Sequence, residues 1–215
     1  MSAFPDLSSQ LSSPCQLLVF TRYPELGKAK TRLIPALGAE GATELHRQLA
    51  EWAIAQGRQL QDRHRESIKL VVYFTGSTIQ AMQTWLGADL VYRSQVQGDL
   101  GEKLYRAIDL GFAQETERIV VIGTDCPSLT PTLLAQAFHA LASHDLVIGP
   151  AADGGYYLIG LSRPISALFQ GIDWGTSEVF TQTLNIADSL DLSYSLLPVL
   201  TDIDRPEDLY CRCNR

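Results

Sequence analysis

Arg118-Ile119-Val120-Val121-Ile122-Gly123-Thr124-Asp125-Cys126-Pro127-Ser128-Leu129 is the stretch on which the fold turns. Its first half, RIVVIG, is continuously apolar rather than alternating, which predicts a strand buried on both faces. Its second half breaks into a polar turn with one acid and one proline. Pro131 then opens a helical segment to Ala142, proline being well suited to a first helical turn.

The same unit recurs outward. Upstream, Gln16–Phe20 (QLLVF) reads as a buried strand running into a polar loop to Leu33. A long helix follows from about Gly41 to Asp62, with Leu45, Leu49, Trp52 and Gln56 on one face and Arg47, Glu51 and Arg58 on others. Ile68–Phe74 (strand), Ile79–Leu86 (helix), Asp89–Arg93 (short strand) and Leu100–Gln114 (helix) lead up to RIVVIG. Downstream come strands at Asp145–Pro150 and Tyr156–Leu161, a helix at Thr176–Ala187, a last strand at Tyr194–Leu200 and a helical turn at Pro206–Tyr210. Strands trading places with helices, each strand apolar throughout, predict a three-layer α/β/α arrangement on a mostly parallel central sheet. No internal repeat or linker divides it. Residues 1–15, rich in Ser, Pro and Gln, read as a flexible leader, and residues 16–215 as one domain.

The 215 residues carry 17 Lys plus Arg against 24 Asp plus Glu, a formal charge of −7. That excludes coating nucleic acid or anionic membrane by charge alone. With no membrane-length apolar run and no signal-peptide pattern at the N-terminus, a cytoplasmic protein is expected. Cys15, Cys126, Cys211 and Cys213 form no disulfide framework; Cys211-Arg212-Cys213 lacks the further ligands a zinc site needs.

In an open α/β sheet, ligands sit beyond the carboxyl ends of the strands, so the loops after QLLVF and RIVVIG matter most. The first runs Thr21-Arg22-Tyr23-Pro24-Glu25-Leu26-Gly27-Lys28-Ala29-Lys30-Thr31-Arg32-Leu33. Between Arg22 and Arg32 it has four cations and one acid, +3 within a chain of −7. Forked guanidinium donors, compact ammonium charges and a Gly27-bearing backbone suit a di- or triphosphate; a solvated basic loop is the plainer alternative. Arg22 stands where a Walker loop needs glycine and Ala29 follows Lys28, so this is no P-loop, and no G-x-G-x-x-G follows the strand. In the second loop, Asp125 can place an oxygen on a hard divalent cation bridging phosphates, or begin a capped turn.

Three later segments bear on chemistry. In Asp153-Gly154-Gly155-Tyr156-Tyr157, paired glycines allow close backbone approach and Asp153 can accept from sugar hydroxyls or join a metal shell; a plain turn is the alternative. Asp173-Trp174-Gly175-Thr176-Ser177-Glu178-Val179 reads equally as a helix start capped by Thr176 or Ser177. In Thr201-Asp202-Ile203-Asp204-Arg205-Pro206, Asp204 offers a second metal ligand or a helix N-terminus. Asp202-Ile203-Asp204 is too close to the C-terminus for a haloacid-dehalogenase phosphatase, Gly175–Val179 lacks the closing glycine of a serine-hydrolase elbow, and nothing sets His139 or His144 against Cys126.

The ordered set of a basic KTRL loop, GTDCP, DGGYYLIG, WGTSEV and DIDRPEDL resembles a small bacterial family of nucleotide-diphospho-sugar transferases, also labelled radical-SAM/selenodomain-associated glycosyltransferases, from about Gln16 to Leu209. The resemblance implies a GT-A-type fold, with more distant similarity to molybdenum-cofactor and 2-phospholactate guanylyltransferases and to CMP-sugar synthetases. It implies a divalent cation, Mg2+ or Mn2+, on Asp125, shared with Asp204 as in the CMP-sugar synthetases. Two departures stand out: Thr124-Asp125-Cys126 replaces the Asp-x-Asp of many such glycosyltransferases, and the Arg22–Arg32 loop replaces a glycine-rich opening.

The expectation is therefore a metal-dependent transferase acting on a nucleotide sugar and a small-molecule acceptor. Thr21, Arg22, Gly27, Lys28, Lys30 and Arg32 would serve the nucleotide phosphates, Asp125 and Asp204 the metal, Gly154, Gly155, Tyr156, Trp174 and Ser177 the sugar or acceptor, and Asp153 or Glu178 the catalytic base. The alternatives are nucleotidyl transfer from an NTP with release of pyrophosphate, and a non-catalytic nucleotide-binding partner. Exposed apolar positions in the C-terminal third suit a homodimer.

Overall fold

A computed structural model describes residues 14–65 and 67–213, with side chains as far as Leu209. Residues 1–13 of the expected leader, and the Cys211 and Cys213 side chains, lie outside the described part. Seven strands form one sheet: β1 (Cys15–Arg22), β2 (Ile68–Thr75), β3 (Val91–Ser94), β4 (Arg118–Ile122), β5 (Leu146–Pro150), β6 (Tyr156–Leu161) and β7 (Tyr194–Leu196), in the order β3-β2-β1-β4-β6-β5-β7. The pairs β1–β2, β1–β4, β2–β3 and β5–β7 are parallel; β6 runs antiparallel between β4 and β5. Residues 151–155, which join β5 to β6, are too few for a parallel crossover and form a hairpin.

Helices α1 (Ile34–Arg63), α2 (Ile79–Leu86), α3 (Leu100–Phe112), α4 (Pro131–Ala140) and α5 (Val179–Ser189) cover both faces. On one, Leu17, Val19, Leu70, Val72, Val120 and Ile122 pack with Ile54 and Leu60 of α1, Met82 of α2 and Phe138 of α4. On the other, Leu18, Val71, Ile119, Val121 and Ile159 pack with Leu104 and Ile108 of α3 and Ala187 of α5. Successive strand residues thus point into different cores, which is why the central strands β4, β5 and β6 are almost continuously apolar, while the edge strands β3 and β7 are part polar.

Several expectations are refined by the structure. A short helical turn from Ile34 precedes the first long helix, and Gly38 (φ 70°, ψ 169°) separates the two in non-helical backbone, so the long helix starts close to the expected Gly41. Its Trp52 is 47% exposed, Ala53 taking the buried position beside Leu49 and Gln56. The helix expected from Thr176 begins at Val179, because residues 173–178 form turns; Thr176 donates to the Asp173 carbonyl, and Glu178, not Thr176 or Ser177, is the N-cap, without a side-chain cap. The last strand stops at Leu196, with one further bond from the Leu197 amide to the Ile148 carbonyl at 2.9 Å, and pairing returns at the Ala151–Leu200 bridge. β1 itself starts at Cys15, which is buried.

Candidate functional site

The chain passes from β1 out to β2 and β3, then returns to place β4 on the other side of β1, so the order reverses between β1 and β4. At such a switch point the loops leave the sheet in opposite directions and open a crevice beyond the carboxyl ends. The loops after β1, β3, β4, β5 and β7 all emerge at this edge, which brings together residues far apart in sequence.

The basic loop folds down onto the crevice rather than standing in solvent. Lys30 adopts a left-handed backbone (φ 50°, ψ 42°), uncommon for a residue with a side chain, and its side chain is only 3% exposed. Its Nζ lies 2.8 Å from Asp125 Oδ1 and 3.5 Å from Asp204 Oδ1, and donates to the Ile203 carbonyl at 2.5 Å. Arg32 Nη1 donates to Asp204 Oδ2 at 2.6 Å. The Ile203 amide donates to the Asp125 carbonyl at 2.9 Å, tying the two acid-bearing segments by their backbones. Asp208 accepts from the Asp204 and Arg205 amides, fixing the turn that presents Asp204.

On the basic side, Thr21, Arg22, Lys28 and Lys30 line the crevice with His46, Thr75, Gln95 and Leu100. His46 of α1 donates to the Arg22 carbonyl at 2.9 Å, and the Gln95 amide donates to the Thr21 and Tyr73 carbonyls at 3.2 Å each. These bonds fix the exits of β1 and β2. The buried Arg22 Nε has no hydrogen-bond partner among the described residues.

On the other side, Asp153, Gly155, Tyr156 and Trp174 line the crevice with Asp125 and Asp204, and Ser177 lines its outer mouth. Tyr156 and Trp174 meet edge to face at 6.3 Å between centroids. The Gly155 amide donates to Asp153 Oδ1 at 2.8 Å. Burial pushes the half-buried Asp202 carboxyl above its ordinary range, and the charge of Asp153 adds to the effect. Burial likewise pushes the Cys126 thiol far up, with Asp202 and Asp125 adding, so it is a neutral packing group rather than a nucleophile.

Of the expected site residues, Gly27 and Glu178 do not line the crevice. Glu178 accepts from the neighbouring Ser177 hydroxyl at 3.4 Å, and Gly27 reaches α1 through Thr43. Gly154 does not line it either: its carbonyl accepts from the Phe180 amide at 2.9 Å, binding the hairpin to α5. Several lining residues were not anticipated, Thr75 among them. Gln95 and Leu100 belong to Gln95-Val96-Gln97-Gly98-Asp99-Leu100-Gly101, a glycine-rich strand exit whose Asp99 caps α3 through the Glu102 amide; its position after a short strand was the available clue. Asp202 lay within a quoted motif, and His46 at a buried helical position.

Among the described residues no group of three His, Cys, Asp or Glu side chains is disposed to hold a metal ion. Asp125 and Asp204 supply two hard carboxylates at one point, 44% and 30% exposed. That donor set fits Mg2+ or Mn2+ completed by substrate phosphates and water, and not an all-protein cage.

A family model described as "Uncharacterized protein conserved in bacteria (DUF2064)" matches residues 59–176, more than half of the chain. A solved protein from Desulfovibrio desulfuricans G20, provisionally named a nucleotide-diphospho-sugar transferase, aligns with a TM-score of 0.86 at 30% identity, over 94% of this chain and 87% of that one. Glucosyl-3-phosphoglycerate synthase from Mycobacterium tuberculosis, solved with Mn2+, UDP and glucosyl-3-phosphoglycerate, aligns at 0.58 and 15% identity, over 98% of this chain and 81% of that one. CMP:2-keto-3-deoxy-manno-octonic acid synthetase with CTP aligns at 0.57 and 8% identity, over 93% and 97%. These last two establish a common fold. No curated protein matches, and no described helix is long and apolar enough to cross a membrane.

Proposed function

This chain belongs to the DUF2064 family of bacterial proteins and has the nucleotide-diphospho-sugar transferase fold, and from that premise we propose that it is a metal-dependent transferase moving a glycosyl group from a nucleotide sugar to a small acceptor. The observation that carries the proposal is the meeting of the Arg22–Arg32 loop with Asp125 and Asp204 at the β1/β4 switch point.

Arg22, Lys28 and Arg32 bind the diphosphate, their guanidinium forks and ammonium charge matching its oxygens. Gln95 and His46 hold the strand exits that orient Arg22. Asp125 and Asp204 hold the divalent cation, which when bound neutralises charge developing on the departing phosphate. Lys30 orients both carboxylates through Nζ. The Tyr156–Trp174 wall gives the sugar an apolar face and excludes water from it. Asp153, held by the Gly155 amide, accepts the acceptor's proton on a carboxylate oxygen.

One observation favours nucleotidyl transfer as a second reading. Asp125 has no acid two residues away to complete an Asp-x-Asp, Gly123 and Pro127 standing there, and the partner carboxylate comes from the C-terminal Asp204, as in the resemblance to CMP-sugar synthetases. Product analysis separates the two: free nucleoside diphosphate marks glycosyl transfer and pyrophosphate marks nucleotidyl transfer. The first test is thermal shift with nucleotide sugars, NTPs and NDPs, each with and without Mn2+, since native-state ligands raise Tm. A metal-dependent shift that Asp125→Asn abolishes is expected. Metal-independent binding without turnover would favour a non-catalytic role. Because Lys30 retains Asp204, Asp125→Asn should cost the unliganded fold only about 1–2 kcal/mol.

A further inference from the structure

A lysine reserved for phosphate should point into the crevice with its donors available, yet Lys30 has committed them. Its Nζ faces Asp125 Oδ1, Asp204 Oδ1 and the Ile203 carbonyl, and its side chain is 3% exposed. Arg32 occupies Asp204 Oδ2. Three of the four oxygens on the proposed metal-binding carboxylates therefore face a cation of the same loop. Asp125 Oδ2 alone has no protein partner among the described residues. Two cations against two carboxylates make the unit neutral. A divalent ion arriving alone would bring it to +2, and a diphosphate alone to −2; together they leave it neutral again.

We propose that Lys30 and Arg32 form a built-in counter-ion lock, so that the divalent cation and the nucleotide phosphates bind as a pair and each binds weakly alone. The inference rests on the reading that Asp125 and Asp204 hold the metal. The two locking residues differ in freedom. Arg32 is 59% exposed, so it can leave Asp204 Oδ2 for a phosphate oxygen and open that oxygen to the metal. Lys30 is enclosed and anchored on the Ile203 carbonyl, so it stays as a positioning residue, keeping the two carboxylates apart from each other's charge. Coupling of this kind is reciprocal: the nucleotide must raise metal affinity by the factor by which the metal raises nucleotide affinity.

The probe is Mn2+ alone, titrated into the unliganded protein and followed by the electron paramagnetic resonance of free Mn2+. Wild-type protein should bind it only at millimolar concentrations. Arg32→Gln should bind it about tenfold more tightly, having lost one competing charge, and Lys30→Met by a similar or larger factor. A purely structural role for these residues predicts unchanged or weaker metal binding. Micromolar Mn2+ affinity in the wild type, or no gain in Arg32→Gln, would overturn the lock. Arg32 is exposed, so that variant decides the matter even where Lys30→Met does not fold. Adding Asp125→Asn to Arg32→Gln separates the lock from its premise. Loss of the gained affinity supports both; a gain that survives puts the ion elsewhere and overturns the metal assignment with the lock.

Discussion

Gly154 sits at φ +90°, and a Cβ there would run into the backbone carbonyl of Ser177. Its amide donates to Ala151 and its carbonyl accepts from Phe180, so both sides of the peptide are committed. Gly154→Ala must therefore strain the backbone and push the 173–178 turns off the hairpin, at a cost of about 2–3 kcal/mol in urea denaturation. An unchanged midpoint would show that the hairpin yields freely. The paired glycines were legible in the sequence as a close backbone approach. What approaches Gly154 is the chain's own turn, and only Gly155 faces the crevice. Spacing reveals that a position is tight and says nothing of what fills it. Lys30 teaches the same lesson: its charge was legible, its burial against two acids was not, because those acids are far along the chain and only the strand order brings them close.

β5 and β7 meet at the sheet edge, where the short β7 has few ladder bonds to hold it. Asp145 compensates by accepting from the Ser193 amide and hydroxyl and from Arg163 Nε. The Ser193 hydroxyl foremost, then Arg163, holds its carboxyl below the usual carboxylate range. A depressed native pKa means that the stabilisation is complete above the unfolded value of about 3.9 and is lost as pH falls below it through the native value. Asp145→Asn should flatten the fall of stability between about pH 5 and pH 2, measured by denaturant titration at each pH. A wild-type slope in the variant would assign the acid sensitivity to other carboxylates. The central strands were readable as elements because their residues are mostly apolar and buried. Their direction was not, since the run Tyr156–Leu161 looks the same read either way, and only the short connection from Pro150 makes β6 antiparallel. The short helical turn Ile34–Leu37 was hidden because Gly38, in non-helical backbone, separates it from the long helix that follows.

Across the whole molecule, the C-terminal segment does for the site what no single element does. Ile203 is 3% exposed and packs with Leu33, Ala42, Leu45 and Leu49, a third apolar cluster separate from the two sheet cores. Its amide bonds Asp125 and its carbonyl bonds Lys30, so the residue between Asp202 and Asp204 joins the end of β1, the end of β4 and α1. The motif around Asp204 could be recognised in sequence, but the apolar anchor that gives Asp204 its place is a single isoleucine in a polar stretch, and no periodicity marks it. Truncating that anchor should therefore cost both stability and binding. Ile203→Ala is expected to lose about 2–4 kcal/mol and to weaken joint binding of Mn2+ and nucleotide, as Asp204 loses its support. Leu134→Ala provides the contrast: Leu134 is fully buried in α4 within a sheet core, and its loss should cost comparable stability while leaving the affinity of the folded protein unchanged. Calorimetric titration at a temperature where both variants stay folded separates the two effects. Equal losses of affinity would mean that the crevice responds to global stability, and that the Ile203 cluster has no special part in holding the acids together.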